Sequence, residues 1–289
     1  MLSAALLTIL CLVWGSTWIV IAGGLEHLPP FQSAAARFLL AAAVMSVVAR
    51  IWGAKEGGSR APLRLVFAVG TLNFAASYGI VYWCGTHMPS ALASVLWSVY
   101  PLLMACSTQF FLVHERLQPR QWLGFVTGFL GVVLLFAKDL RAISPAALQA
   151  GAVLMLSPLV VTVGTTLVKR AGSGVSSLYL NRDALWVGAG WLTLIALLFE
   201  REAPAQWTTP AVASVAYLGI AGTALTFGIY FWLLRHTTAY RMSLVSYVTP
   251  PIAVLLGWWV RDEPISVWTL LAMGLIFSGV ALATWVRRN

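Results

Sequence analysis

Stretches of about 20 mostly apolar residues recur along the whole chain, separated by short segments that carry prolines, glycines and charges. A helix of that length crosses the roughly 30 Å of hydrocarbon in a lipid bilayer. Only 9% of the 289 residues are charged, whereas soluble domains carry about 25%. A water-soluble globule could not cover so much apolar surface. The sequence therefore predicts an all-α integral membrane protein.

Ten transmembrane helices are predicted when the chain is divided at prolines, glycines and charge clusters. They cover residues 3–24, 31–50, 63–84, 90–113, 119–137, 146–168, 182–199, 210–234, 241–260 and 265–286. The first apolar run is too long for the core of a signal peptide and has no basic residues before it. We therefore expect it to be retained as the first membrane helix.

Lysine and arginine are divided unequally between the two sets of loops. Of the 18 residues, thirteen fall on the side of both termini, four fall on the other side, and Arg37 lies inside the second span. Short cytoplasmic loops are enriched in positive charge. Both termini are therefore predicted to be cytoplasmic, in a multi-pass protein of the cell inner (plasma) membrane. Because the +9 net charge sits in these short loops, nucleic acid is not an expected partner.

The two halves of the chain share a pattern. SVLWSVYP (94–101) is matched 149 residues later by SLVSYVTP (243–250), and Glu115 is matched 148 residues later by Glu263. Arg37 and Arg182, 145 residues apart, each lie just inside the second span of a half. We therefore predict two five-helix repeats, residues 1–140 and 141–289. Because five is odd, the second repeat is inverted, as in transporters that alternate access to one site.

Two long segments resemble the repeat of the EamA-type family in the drug/metabolite transporter (DMT) superfamily. The first is SALASVLWSVYPLLMACSTQFFLVHERLQPRQWLGFVTGFLGVVLL, and the second is RMSLVSYVTPPIAVLLGWWVRDEPISVWTLLAMGLIFSGVAL. WGSTW in span one and AAARFLLAA in span two also fit this family. The resemblance implies an exporter of amino acids, nucleosides, drugs or other metabolites. The aromatic residues of the chain favour the YddG-like aromatic amino acid exporters as the expected subgroup.

Matched polar stripes mark one face of span four and one face of span nine. They consist of Ser94, Trp97, Ser98 and Pro101 in span four, and of Ser243, Ser246, Tyr247 and Pro250 in span nine. Their i, i+3, i+4, i+7 spacing puts each set on one helix face. Each proline frees a backbone carbonyl, which in lipid must face protein or a wet cavity. We expect both faces to line a central substrate cavity, the alternative being packing serines and simple kinks.

Spans one, three, six and eight add polar and aromatic residues to this expected cavity. The main candidates are Trp14, Thr17, Asn73, Tyr78 and Tyr82, and the weaker ones are Ser157, Pro158, Thr162, Thr165, Thr166, Thr223, Thr226 and Tyr230. Trp18 and Tyr82 could equally belong to the aromatic belt at a membrane interface. An uncharged cavity of rings and hydroxyls suits a zwitterion with an apolar side chain. It does not suit a phosphate ester, which needs inward Lys or Arg.

Four charged residues are given structural or gating roles. Arg37 is predicted to reach the interface by snorkelling, with Arg182 as its counterpart in the other half. Glu115 and Glu263 are predicted to pair with loop groups and help to form gates, the alternative being solvated helix ends. The middle of the spans contains no carboxylate, which favours facilitated export, or coupling through a peripheral group, over a drug/proton antiporter.

The predicted function is export of neutral or aromatic amino acids by alternating access. Proton-coupled export of drugs, nucleosides or other metabolites stays open as an alternative, as does a channel. An enzyme is not predicted, because all four histidines lie at span ends or in loops and no phosphate-binding loop or metal cluster is present in the sequence. No cofactor or metal is expected.

The expected partners are the small-molecule substrate and the lipid bilayer, with the protein as a monomer or homodimer. Small residues predict close packing of spans five and ten against each other or against a neighbouring helix, through Gly124 and Gly128 in one span and Gly274 and Ser278 in the other.

Overall fold

The computed structural model of the chain describes residues 2–88, 90–135, 144–261 and 265–285, which are almost entirely helical. The helices are α1 Leu2–Leu25, α2 Pro30–Glu56, α3 Leu63–Val69, α4 Ser77–Gly85, α5 Ser90–Trp97, α6 Tyr100–Phe111, α7 Pro119–Leu135, α8 Pro145–Leu154, α9 Leu156–Ala171, α10 Ser177–Phe199, α11 Thr209–Gly219, α12 Thr226–His236, α13 Ala239–Ser243, α14 Val245–Arg261 and α15 Val267–Thr284. The π-helical segments Gly70–Ala76 and Ile220–Leu225 join α3 to α4 and α11 to α12. Within these ranges there is no β-strand beyond an isolated bridge between Ser59 and Val175.

In the part of the chain that the structure describes, seven helical segments are long and apolar enough to cross a bilayer. They are Ala4–Leu25, Pro30–Glu56, Leu63–Gly85, Pro145–Ala171, Ser177–Phe199, Thr209–His236 and Val267–Thr284. The count is three below the predicted ten. The other three predicted spans coincide with α7, which has 17 residues, and with the helix pairs α5–α6 and α13–α14, each of which is broken within the span.

The seventh predicted span begins earlier than the sequence analysis placed it. α10 starts at Ser177, because the hydroxyl of Ser176 accepts a hydrogen bond from the backbone N–H of Tyr179 at 3.3 Å and caps the helix. Arg182 and Asp183 therefore lie inside the helix instead of at its start. Their side chains are partly exposed and form an ion pair at 2.6 Å.

The molecule has an apolar outside and many polar groups inside. Leu63, Phe110 and Phe199 are 74%, 74% and 76% exposed, whereas Thr165 and Ser157 are fully buried. Soluble proteins rarely expose so many large apolar side chains, but a bilayer covers them. This distribution agrees with an integral membrane protein.

A seam of glycines holds α7 against α15. A Cβ atom added to Gly124 would lie 2.4 Å from the backbone nitrogen of Ala283, and one added to Gly279 would lie 2.4 Å from that of Gly128. The predicted packing of span five against span ten is therefore confirmed. The residues on α15 differ from the prediction, because a Cβ at Gly274 meets nothing within 4 Å and Ser278 is exposed.

Matching glycine contacts pack each helix that contains a π-helical segment (α3–α4 and α11–α12) against a long helix. A Cβ at Gly70 would lie 2.7 Å from the carbonyl oxygen of Ala184, and one at Gly219 would lie 3.1 Å from the carbonyl oxygen of Arg37. These contacts pair Arg37 with Ala184, not with Arg182 as the sequence analysis expected. The offset of 145 residues between Arg37 and Arg182 gave the wrong equivalent position, because α10 begins before the predicted seventh span.

Replacing Gly279 by alanine should destabilise the protein, because the new methyl group would meet backbone atoms of α7 that cannot rotate away. Overpacking of this kind costs about 1–3 kcal/mol. The matched control is Gly274→Ala on the same helix, where the methyl group has open space and alanine favours the helix by about 0.5–1 kcal/mol. Thermal unfolding midpoints in detergent would show a clear drop for Gly279→Ala and none for the control. Equal midpoints would contradict the seam.

Candidate functional site

A cavity lies among α1, α4, α5, α6, α9, α12, α13 and α14. Its volume is about 100 Å³, smaller than the roughly 300–1,000 Å³ of most small-molecule sites. The lining residues are Trp14, Thr17, Trp18, Ile21, Asn73, Ser77, Tyr78, Val81, Ser94, Trp97, Ser98, Tyr100, Val161, Phe227, Tyr230, Met242, Ser246 and Thr249. Every one of these side chains is formally uncharged.

Eight of the thirteen residues predicted to bind substrate line this cavity. They are Trp14, Thr17, Asn73, Tyr78, Ser94, Trp97, Ser98 and Ser246. The predicted faces of spans one, three, four and nine therefore meet in one place. Trp18, which the sequence left between cavity and membrane interface, also lines the cavity.

Tyr82, Ser243 and Tyr247 lie away from the cavity lining. The hydroxyl of Tyr82 accepts a hydrogen bond from Arg37 at 3.3 Å. Ser243 donates to the carbonyl of Tyr240 in its own turn, at 2.7 Å. Tyr247 is fully buried against Gly128 and donates to the carbonyl of Phe125 at 2.9 Å. The stripe on span nine is thus divided between the cavity and the packing of α14 on α7.

Pro101 and Pro250 act on the cavity through the backbone. Pro101 follows the break between α5 and α6 and has no N–H to donate to the carbonyl of Trp97. Pro250 lies inside α14 and likewise leaves the carbonyl of Ser246 without its helical donor. The hydroxyls of Ser98 and Thr249 donate to that Ser246 carbonyl at 3.4 and 3.3 Å. A lost backbone bond is thereby replaced by a contact between α5–α6 and α14.

Aromatic rings form one wall of the cavity. The Trp14 ring lies 5.5 Å from that of Phe227 and 5.6 Å from that of Tyr230, and its indole N–H donates to Thr226 at 3.0 Å. The sequence analysis missed Phe227 and gave Tyr230 little weight. The repeat offset of 149 residues maps Tyr78 onto Phe227 and could have found it.

Ser157 holds another part of the cavity wall in place. Its hydroxyl accepts a hydrogen bond from the indole N–H of Trp97 at 2.9 Å and lies 2.9 Å from the hydroxyl of Ser77. The hydroxyls of Tyr100 and Tyr230, two further lining residues, are 3.0 Å apart. The orientation of Trp97 therefore depends on one fully buried serine of α9.

Arg37 lies in the interior, 1% exposed, and does not snorkel to an interface. Its guanidinium donates to the hydroxyl of Thr223 at 2.7 Å, to the carbonyl of Gly222 at 3.1 Å and to the hydroxyl of Tyr82. The Tyr78 ring, which lines the cavity, is centred 4.6 Å from its central carbon. Arg37 thus bridges α2, α4 and the second π-helical segment.

Glu115 lies in a network of charges where α6, α9 and α12 end. It forms an ion pair with Lys169 at 2.8 Å and accepts from the N–H of Ala239 at 2.6 Å. Lys169 also donates to the carbonyls of Leu234 and Thr237 at 3.1 and 2.9 Å. Glu115 is therefore not a freely solvated helix end. Its predicted partner in the repeat, Glu263, lies outside the described residues.

A second ion pair lies at the same end of α12. Arg235 contacts the Glu56 carboxylate at 3.0 Å, and the hydroxyls of Ser176 and Ser177 donate to that carboxylate. The C-terminal end of α12 is thus tied to α2, α6, α9 and α10. In the part of the chain that the structure describes, no cluster of three His, Cys, Asp or Glu residues could hold a metal ion.

Sequence comparison decides the family. The profile of the EamA-like transporter family matches residues 1–137 and again residues 149–285. The chain belongs to the EamA-like transporter family.

Several relatives of this EamA-family protein are named as transporters. It is 25% identical to the uncharacterized transporter YoaV of Bacillus subtilis over 95% of this chain and 94% of that protein. It is 28% identical to the uncharacterized inner membrane transporter YedA of Escherichia coli K12, over 95% and 88%. One crystal structure superimposes with a TM-score of 0.82 at 20% identity, covering 98% of this chain and 96% of the other, which supports the fold alone. The protein is therefore a multi-pass membrane transporter.

Replacing Ser157 by alanine should destabilise the cavity of this EamA-family transporter, because the Trp97 N–H and the Ser77 hydroxyl would both lose a buried partner. A buried polar group left unpaired costs about 1–3 kcal/mol. Ser278→Ala is the control, since its exposed hydroxyl bonds a carbonyl of its own helix. We expect a lower unfolding temperature for Ser157→Ala alone, and equal temperatures for both variants would contradict the assigned role.

Proposed function

We propose that this EamA-family transporter exports neutral and aromatic amino acids across the inner membrane by alternating access to the central cavity. The observation that carries the proposal is the composition of the cavity wall. Rings of Trp, Tyr and Phe line it together with hydroxyl and amide groups, and the lining contains no formal charge.

The rings account for the apolar part of the substrate. Trp14, Phe227 and Tyr230 form a cluster with tilted and edge-to-face geometry, and the Trp97 ring lies 5.2 Å from that of Tyr100. Aromatic pairs in such geometry add about 0.5–1.5 kcal/mol beyond the burial of area. An aromatic or large apolar side chain would therefore gain most from this wall.

The polar groups account for the amino acid backbone. Thr17, Ser98 and Ser246 bring three hydroxyl groups to the cavity, which can accept from an ammonium and donate to a carboxylate. A phosphate ester would carry more negative charge than such neutral donors stabilise. This chemistry supports zwitterions over phosphorylated metabolites.

Ten membrane helices in two inverted halves are part of the proposal. The helical pairs α5–α6 and α13–α14 and the short helix α7 would supply the three crossings beyond the seven long segments. The two matches of one family profile, to residues 1–137 and 149–285, support two repeats of five helices each. An odd number of helices inverts the second repeat, and the distribution of Lys and Arg supports cytoplasmic termini.

The charge network around Glu115 is proposed as a gate. Hydrogen bonds join α6 to α9 in order along both helices, from Tyr100 to Thr165 at 3.4 Å and from Ser107 to Thr166 at 2.6 Å, before the ion pair with Lys169. In the proposed topology this series closes the cytoplasmic end. The cavity then faces outward in the conformation described here, and the contacts must break for substrate to enter from the cytoplasm. Arg182 and Glu263 stay proposed as structural or gating residues.

Transport by purified protein in liposomes tests the substrate class. We expect saturable, counterflow-competent uptake of labelled phenylalanine and tryptophan that does not depend on an imposed proton gradient. Trp97→Ala and Tyr78→Ala should each raise KM about tenfold, which corresponds to about 1.4 kcal/mol of lost binding. Trp268→Ala, at a 60% exposed position on α15, is the matched control and should transport normally.

Three outcomes would redirect this proposal. Uptake of a nucleoside or a drug with strict proton dependence would favour the proton-coupled alternative within the same family. Non-saturable flux without counterflow would favour a channel. Wild-type rates in both aromatic variants would mean that the cavity is not the substrate site.

Replacing Glu115 by glutamine should open the cytoplasmic end more often, because Lys169 loses its ion-pair partner. A loss of about 1 kcal/mol shifts a two-state population about fivefold. The readout is labelling of a cavity cysteine, introduced as Ser246→Cys in a chain without its native cysteines, by an impermeant maleimide in inside-out vesicles. Labelling should accelerate in Glu115→Gln but not in the control Glu202→Gln, an exposed residue. Identical rates in both variants would count against the gate.

A further inference from the structure

Arg37 is the largest side chain that is almost completely buried in the described residues. Its three hydrogen bonds all go to neutral acceptors, namely the Thr223 and Tyr82 hydroxyls and the Gly222 carbonyl. A guanidinium stays protonated in any protein environment. The interior of the protein therefore holds a full positive charge.

The described residues offer this charge no counterion. Their ion pairs join Lys169 to Glu115, Arg182 to Asp183 and Arg235 to Glu56, and none involves Arg37. Burying an unpaired charge is costly. In membrane helices such charges are rare and are kept at sites of function. The partner that would balance Arg37 is thus missing from the part of the protein that the structure describes.

The guanidinium lies directly behind the cavity wall. Tyr78 covers it with a ring centred 4.6 Å from its central carbon. On its other side, a Cβ added to Gly222 would lie 3.6 Å from an Arg37 terminal nitrogen and 3.2 Å from the methyl group of Thr17. Both Tyr78 and Thr17 line the cavity. One layer of side chains therefore separates the charge from the cavity.

The packing of the long helices does not require an arginine at this place. The equivalent contact in the other half of the chain is made by Ala184, whose carbonyl meets Gly70 as that of Arg37 meets Gly219. The glycine contact forms in both halves, but the charge is present in one. A role in packing alone leaves that difference unexplained.

We infer that Arg37 is a specificity-determining residue that makes the cavity select substrates carrying a carboxylate. The inference rests on the proposed function in placing the substrate in this cavity, and it deepens it by naming the chemical group that is selected. The positive charge acts across Tyr78 and Thr17, where little water screens it. A carboxylate bound at that wall supplies the missing negative charge. Arg37 is thus a positioning residue for the carboxylate, and amines without one are rejected.

Competition against labelled phenylalanine in liposomes tests this selection. The probes are unlabelled phenylalanine, 3-phenylpropionate, which lacks the ammonium, and phenethylamine, which lacks the carboxylate. In the wild type, phenethylamine should compete at least about tenfold more weakly than phenylalanine, a difference of about 1.4 kcal/mol. In Arg37→Gln that ratio should collapse toward one, through weaker binding of phenylalanine. Arg37→Lys should keep much of the ratio, because it keeps the charge.

Thr223→Val separates charge from structure. Thr223 accepts a hydrogen bond from Arg37 and donates one to the carbonyl of Leu218 at 2.8 Å, so the variant loosens the same region and leaves the charge in place. It should lower transport without changing the ratio between phenylalanine and phenethylamine. Arg64→Gln, which removes an exposed positive charge, should change neither. A ratio that falls as far in Thr223→Val as in Arg37→Gln would overturn the inference.

The wild type alone can also overturn it, even if Arg37→Gln fails to fold. Equal competition by phenylalanine and phenethylamine would do so. If the wild type takes up none of the probes, its thermal unfolding is measured with each of them instead. No stabilisation by phenylalanine or by 3-phenylpropionate, the two probes with a carboxylate, would then also overturn the inference. The proposed function fails separately: transport of 3-phenylpropionate but not of amino acids would discard amino acid export and keep the selection by Arg37.

Discussion

Backbone carbonyl groups within a bilayer must find partners inside the protein, because hydrocarbon offers none. The chain departs from regular helical hydrogen bonding at the breaks near Ser98 and Leu244 and in the two π-helical segments. Ser98, Ser246 and Asn73, at or close to three of these places, line the cavity. Irregular backbone is therefore concentrated in the interior, where hydroxyl groups such as that of Ser98 replace the lost bonds. The cavity lies where these irregular segments meet.

Glycine determines which helices approach each other most closely. The contacts of Gly124 and Gly279 bring α7 and α15 together in a seam away from the cavity, with Tyr247 packed beside it on Gly128. Gly70 instead brings the helix α3–α4 against α10, and Gly219 brings the helix α11–α12 against α2, next to the cavity. A π-helical turn widens the helix locally and often marks a functional site. The same small residue thus builds both a purely structural contact and the frame of the candidate site.

The sequence predicted the helical class, the positions of most helices and eight of the residues that meet in the cavity. It could do so because apolar length and helical periodicity report on the membrane and on helix faces directly. Tyr247 was misplaced because a stripe of four residues spans about 100° or more of a helix, and its edge faces α7 rather than the cavity. Arg37 was expected at an interface because nothing local reveals that Thr223 and Gly222, nearly 190 residues away, supply its acceptors. Contacts between distant segments decide what periodicity leaves open.

In the proposed inverted repeat, the two halves must agree in shape and differ in chemistry. Shared backbone features allow each half to adopt the conformation of the other, which alternating access requires. An amino acid, however, has a positive pole, a negative pole and one side chain, so it cannot be held by two identical walls. The positions that correspond between the halves differ where the cavity lies: Tyr78 faces Phe227, and Trp97 corresponds to Ser246. Arg37 and Ala184 differ in the same way, in charge. In the proposed transport cycle, these differences would give an asymmetric substrate a single orientation without disturbing the shared backbone frame.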